Sequence, residues 1–297
     1  MQYAICSSLL LPACLAIVAS AQPAPAKSPG QAYVQATLTT DTTHFTPGQP
    51  FTAAVTLTIA PQWHVYWINP GDSGLPTQIS WQLPPGWTAG PLLYPIPKKF
   101  NQPGDILGYG YESQVTFLTQ ITPSATATTA AEISANLTYL VCHEVCLPGQ
   151  ANLSAKLQPA SGTSTPSPAA PAIASARERL PAPEPIAPET TYTRDANLIT
   201  VQSRLATPLD GSLPTTGTWQ LFPFPDDHLE WQDPTATPEP GDVVLTARIR
   251  LLTPAAQTTP KALLVHTNPA GQSTAWEIAF PPTPPDKSTN KQSPAAK

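Results

Sequence analysis

Two cysteines four positions apart, Cys142 and Cys146, are the residues of this chain whose type and spacing best suit chemistry. They lie in Tyr139-Leu140-Val141-Cys142-His143-Glu144-Val145-Cys146-Leu147-Pro148-Gly149, and the other two cysteines, Cys6 and Cys14, fall at the extreme N-terminus. Such a pair can close to a disulfide, open to a dithiol, or hold a soft metal through its thiolates. The elements carrying the pair decide among these. Upstream, Ile133, Ala135, Leu137, Tyr139 and Val141 alternate with Ser134, Asn136, Thr138 and Leu140, the period of a strand with one buried face. Cys142 is therefore expected on the more polar face. Downstream, Leu153, Ala155 and Leu157 alternate with Asn152, Ser154 and Lys156, so a second strand leaves the motif and the two form a hairpin. A loop of His143, Glu144 and Val145 makes Cys142 and Cys146 direct cross-strand neighbours. Opposed residues sit roughly 4.5–5.5 Å apart at Cα, inside the range of about 4.4–6.8 Å that a disulfide needs. The two thiols can close and open without moving the strands.

Residues 1–21 contain the apolar run Leu9–Val18 followed by Ala19-Ser20-Ala21, the pattern of a cleaved secretory signal peptide. Leu11-Pro12-Ala13-Cys14 admits a second reading, a lipoprotein site with Cys14 lipidated. No later segment approaches the ~20 apolar residues of a membrane helix. Removing the signal leaves two cysteines in an oxidising compartment. The plain reading is a structural staple. A disulfide closing only three intervening residues removes little entropy from the unfolded chain, which favours a reactive dithiol over a staple.

With 297 residues there is room for about two domains. Forty prolines and 11% charged residues point to short strands with proline-rich connections, and a net charge of −5 without a basic cluster argues against nucleic acid or an anionic membrane as partner. Strands are expected at 33–39, 51–60, 63–68, 78–83, 115–121, 132–142 and 151–158, the pattern of an immunoglobulin-like β-sandwich over 30–158. A Pro/Ala-rich, semi-stiff linker follows over 159–190, with one helical segment at 172–180. A second small β-sandwich-like domain is expected over 191–281, with strands at 197–204, 217–222, 242–251, 261–266 and 274–280, and then a disordered tail over 282–297. The fold class is all-β. Asp226-Asp227-His228 is read as a solvated loop, because no second cluster stands at ligand spacing. No G-x-S-x-G, H-E-x-x-H or phosphate-binding glycine loop occurs.

Between Trp63 and Gln150 a series of motifs runs in order: Trp63-His64-Val65-Tyr66-Trp67-Ile68-Asn69-Pro70-Gly71, Trp81-Gln82-Leu83-Pro84, Tyr94-Pro95-Ile96-Pro97, Gly108-Tyr109-Gly110-Tyr111-Glu112, and the cysteine segment itself. This series resembles the N-terminal periplasmic domain of the DsbD disulfide-interchange family. The three-residue interval between the cysteines matches its ScsB-like relatives, whereas DsbD itself has a longer one. The resemblance implies an immunoglobulin-like, periplasmic protein-disulfide reductase module that relays reducing equivalents between partner thiol proteins. It implies Cys142 and Cys146 as the redox pair, with Cys146 attacking. It implies as partners thioredoxin-like periplasmic proteins and a membrane-embedded thiol reductase, both acting in trans. No cofactor and no metal are expected. It also implies a cover over the sulfurs from the loop 105–111, against the plainer reading that the aromatics of this loop pack into the sandwich. His64 is read as a strand residue at the edge of an aromatic cluster, and Trp67–Thr77 as a structural turn. Two other functions compete: Cu(I) binding by Cys142, His143 and Cys146, and a structural module with an inert disulfide.

Overall fold

Short apolar-alternating segments broken by proline and glycine give strands and very little helix. The computed structural model describes residues 28–102, 104–186, 188–206, 214, 216–239, 242–253 and 258–283. The expected signal peptide, and all of the expected tail beyond residue 283, lie outside the described residues. In chain order the strands are β1 (Val34–Thr40), β2 (Thr42–Phe45), β3 (Phe51–Ile59), β4 (His64–Gly71), β5 (Gln78–Gln82), β6 (Thr88–Ala89), β7 (Lys98–Gln102), β8 (Ile106–Glu112), β9 (Gln114–Thr122), β10 (Ala131–Cys142), β11 (Cys146–Pro159) and β12 (Thr165–Pro166). After helix α1 (Ala170–Arg177) come β13 (Ala182–Ile186), β14 (Glu189–Asp195), β15 (Leu198–Ala206), β16 (Thr218–Pro223), β17 (Leu229–Glu239), β18 (Asp242–Leu251), β19 (Lys261–Thr267) and β20 (Ser273–Ala279).

The first twelve strands form two sheets, ordered β1-β3-β9-β6 and β12-β2-β11-β10-β4-β8-β7, with β5 also paired to β10. Val55, Leu57 and Phe117 of the first meet Trp67, Leu137 and Val141 of the second in one buried cluster. The fold is all-β and immunoglobulin-like. A second pair of sheets follows, β13-β20-β19-β16 and β14-β15-β18-β17, closed over Ile199, Val201, Leu245, Ile249 and Ile278. In β19 both faces are covered: Ala262 and Leu264 join this second core, while Leu263 and Val265 join the first. The sheet containing β19 is therefore a wall shared by the two units.

Several elements differ from the sequence reading for identifiable reasons. The glycine-rich stretch around Gly108 and Gly110 is strand β8 rather than loop. Glycine is needed there because a Cβ at Gly108 would stand 2.3 Å from the Phe100 ring, and one at Gly110 only 2.0 Å from the Val65 carbonyl oxygen. Strand interiors accept glycine where another group must approach this closely. Strand β17 escapes a sequence reading because it holds Pro234 and Pro238, yet it lies at the edge of its sheet, where a missing N–H is harmless.

Over residues 159–180 the chain packs on the first sandwich instead of simply spanning a gap, and from Ala182 it joins the second pair of sheets as β13. Pro171 sits in the first turn of α1, where its missing donor costs nothing, and Ile173 and Ala176 are buried against Ala54 and Leu118. Arg177 Nη2 donates to Thr52 Oγ1 at 2.5 Å and Ile96 N to the Arg179 carbonyl at 3.1 Å. Truncating Ile173 to alanine empties a buried site and should lower stability by about 2–5 kcal/mol, measured by urea denaturation. An unchanged midpoint would show that α1 does not dock on the sandwich in solution.

Candidate functional site

β10 and β11 are registered without a break from Ala131 opposite Leu157 to Cys142 opposite Cys146. The three residues between the cysteines close a tight turn, with His143 N donating to the Val145 carbonyl at 3.2 Å. Cys142 and Cys146 form a disulfide with their Cα atoms 4.2 Å apart, the close approach of directly opposed antiparallel residues.

The two sulfurs are not equivalent. Cys142 is flanked on both sides, by β11 through Cys146 and by β4 through His64, and it is 0% exposed. It points to the face of β10 that the sequence marks as polar, yet neighbouring strands cover it. Cys146 begins β11, whose other edge meets β2 only at Gln158 and Pro159, and it is exposed.

Strand alternation and register put further groups on the cysteines' face. His64 is paired with Cys142 on one side and with Glu112 on the other. Tyr66, two residues along β4, places its Oη 3.9 Å from Cys146 Sγ and 3.3 Å from His64 Nε2. A sulfur in a disulfide carries no proton, so any hydrogen bond to Cys146 is donated by Tyr66. The Phe100 ring stands 4.3 Å from His64 and 6.3 Å from Tyr66, in the space left by Gly108. Gly74 lies against the Tyr66 ring so closely that a Cβ would come within 2.4 Å of Cζ.

Burial lowers the His64 pKa, opposed by the Glu112 carboxylate and reinforced by His143. Burial raises that of Tyr66, offset in part by the side chains of Gln102 and Ser73. The phenol therefore remains a donor at neutral pH.

The residues named from the sequence fall out as follows. Cys142 and Cys146 come together. Glu144 is exposed, and the exposed His143 turns its ring toward Trp63, 5.9 Å away, with Trp63 itself stacked on Tyr33. Among the described residues no group of three His, Cys, Asp or Glu side chains is arranged to hold a metal ion. The cover expected from 105–111 is corrected in its aromatic part: Tyr109 and Tyr111 alternate inward, and pack on Phe222 and Phe117 respectively. The ring beside the site is Phe100, from the preceding strand. His64 and Tyr66, read as ordinary strand residues, belong to the site, and the end of the stretch read as a turn presses Gly74 on Tyr66. In the Asp226-Asp227-His228 run Asp227 and His228 are exposed and Asp226 is half-buried, its Oδ1 accepting from His228 N at 2.8 Å.

An immunoglobulin-like sandwich with an asymmetrically exposed cystine at the end of one hairpin is thus the class of protein that fold and site define. Residues 34–158 match the family model of the N-terminal part of thiol:disulfide interchange protein DsbD, and they form a DsbD N-terminal-like domain. The N-terminal periplasmic domain of ScsB from Proteus mirabilis superposes with a TM-score of 0.61 at 16% identity, over 87% of this chain and 96% of that one, and shares the fold. A conserved domain protein from Bacillus anthracis aligns over 83% of this chain and 85% of its own at 7% identity, but its TM-score of 0.26 carries no argument. No curated protein matches the sequence.

The low pKa of His64 makes a testable contribution to stability. As pH falls through the ordinary histidine value of 6.5, the unfolded chain takes up a proton that folded His64 still refuses. The unfolded state then binds more protons, so this contribution is complete above that value and is lost on going below it. Urea melts of the wild type and His64→Gln should show a stability difference that shifts against the wild type between pH 7.5 and 5.5. A difference that stays flat with pH would contradict the burial of a neutral imidazole.

Proposed function

We propose that this chain is a periplasmic thiol–disulfide exchange module, dividing into the redox domain 30–158, the connecting segment 159–190 and a second β domain 191–281. Cys142 and Cys146 are its reacting pair. The observation that carries this reading is the unequal exposure of the two cysteines. Exchange needs one sulfur that an incoming thiolate can reach and a neighbour that can resolve the mixed disulfide. Cys146 is open and Cys142 is enclosed beside it.

In the reducing half-reaction a thiolate of a partner dithiol attacks Cys146 Sγ, the Cys142–Cys146 bond breaks, and Cys142 leaves as a thiolate. The partner's second thiolate then attacks its own sulfur in the mixed disulfide and releases Cys146. The partner leaves as a disulfide, and two electrons have passed to this chain, whose thiols take up the protons. Delivery to a substrate is the reverse, with Cys146 attacking and Cys142 resolving. Tyr66 is placed to donate to the Cys146 thiolate in both directions.

The rim of the site supports a protein as the partner. Val145, in the turn between the cysteines, is 59% exposed, and Leu75, next to the Gly74 that lies on the Tyr66 ring, is 63% exposed. Exposed apolar side chains of this size, grouped about a reactive bond, are what a docking surface presents. The partners proposed are a membrane-embedded thiol reductase as donor and thioredoxin-like periplasmic proteins, acting in trans.

Dithiothreitol should reduce Cys142–Cys146 in the folded protein, followed by thiol alkylation and mass spectrometry. Resistance until the chain unfolds would leave only the inert-staple reading. The roles of the sulfurs separate in trapping experiments: Cys142→Ser should accumulate mixed disulfides through Cys146, because the resolving thiol is gone, and Cys146→Ser should not. Equal trapping by both variants would remove the assignment.

A further inference from the structure

The second β unit, for which the exchange reading has no task, touches the first at the back of the strand that carries the site. On β4, Tyr66 faces the cystine and its neighbour Trp67 faces away, buried to 1%. Trp67 does not rest only on its own sandwich. Its ring meets Phe224 at 5.1 Å and Phe222 at 6.2 Å, and Tyr109 of the adjacent β8 meets Phe222 at 5.2 Å. Leu263 and Val265 extend the same buried cluster.

A polar tie adds direction to this packing. Asn69 Nδ2 donates to the Pro223 carbonyl at 2.9 Å, and its Oδ1 accepts from Gly71 N at 3.0 Å. Asp72 is bound twice to Leu107, N to carbonyl and carboxylate to N, both at 2.8 Å. The segment so fixed continues into Gly74, which lies on the Tyr66 ring, and into Thr77, which donates to the Tyr66 carbonyl through Oγ1 at 3.2 Å. Contacts therefore run without a gap from Pro223 to the phenol beside Cys146.

We propose that the second β unit is a positioning element of the redox site, with Phe222 as its anchor, holding β4 from behind so that Tyr66 stays within reach of Cys146. This rests on the exchange reading and adds to it a task for the second unit. Side chains alternate along a strand, so a backbone fixed through Trp67 fixes the direction of Tyr66 as well. A buried aromatic removed from such a wall leaves a void that packed neighbours fill only in part, and the strand is free to shift toward it.

The readout is the titration of the Cys146 thiolate in the reduced full-length protein, followed by mass-resolved alkylation across pH. Tyr66→Phe should raise that pKa by about one unit, since a hydrogen bond to the charged form is lost. Phe222→Ala should raise it by at least half as much, and the double variant should match Tyr66→Phe alone, because both act through one contact. Ile249→Ala is the control: it empties the second unit's own core, away from β4, with comparable damage to folding. It should leave the titration unchanged. A Phe222→Ala protein that titrates like the wild type, an equal shift from Ile249→Ala, or no shift from Tyr66→Phe each overturns the proposal. Failure of the exchange reading looks different, being a wild-type disulfide that opens only on unfolding.

Discussion

The constraint on which this structure depends is that one strand, β4, is covered on both faces by different partners. Its outward side chains, His64 and Tyr66, pack around the cystine, and its inward ones, Val65 and Trp67, are buried in the core shared with the second unit. Alternation ties the two sets to one backbone, so the accuracy with which Tyr66 meets a sulfur is inherited from hydrophobic packing on the other side. Fully burying a side chain as large as Trp67 contributes on the order of 2–3 kcal/mol, more than the single weak hydrogen bond it positions. The stronger interaction sets the place and the weaker one uses it.

The cystine itself contributes little to holding the hairpin. β10 and β11 are registered over their whole shared length, and Ile133, Leu137 and Val141 of β10 are buried in the core. A cross-link over three intervening residues restricts the unfolded chain only slightly. Opening it should therefore cost the fold little, as the proposed exchange requires. A bond that closed a long loop would tie the same chemistry to stability.

Legibility of the sequence followed the range of the contacts. The hairpin was readable to the residue, because alternation fixes the face and the loop length fixes the register, so Cys142 opposite Cys146 needed only local information. The cysteine face is legible, but its burial is not, since that comes from β4, far away in the chain. His64 and Tyr66 join the site through pairing with β10 and β8, which no local pattern encodes. Glycine misled at 108 and 110, where it serves a close approach inside a strand and not a turn. One further signal stands in the sequence. Ala262-Leu263-Leu264-Val265 is apolar without alternation, the mark of a strand buried on both faces, and it foretold that the second unit shares a core with the first.

Burial also decides what kind of thiolate this site can make. His64 is kept neutral and Tyr66 protonated, so neither sets a cation against the sulfurs. The nearest ion pair, Lys98 with Glu112 at 3.4 Å, is exposed on both sides and contributes little to the potential at the cystine. A thiolate on Cys146 is then stabilised by a hydrogen bond from a phenol and not by a positive charge. On the exchange reading, a thiolate held by a hydrogen bond and not by a charge would keep more of its nucleophilicity, which falls as thiol pKa falls. In the proposed exchange, a partner docked over Cys146 would exclude water from the phenol–sulfur contact and strengthen it at the moment of transfer.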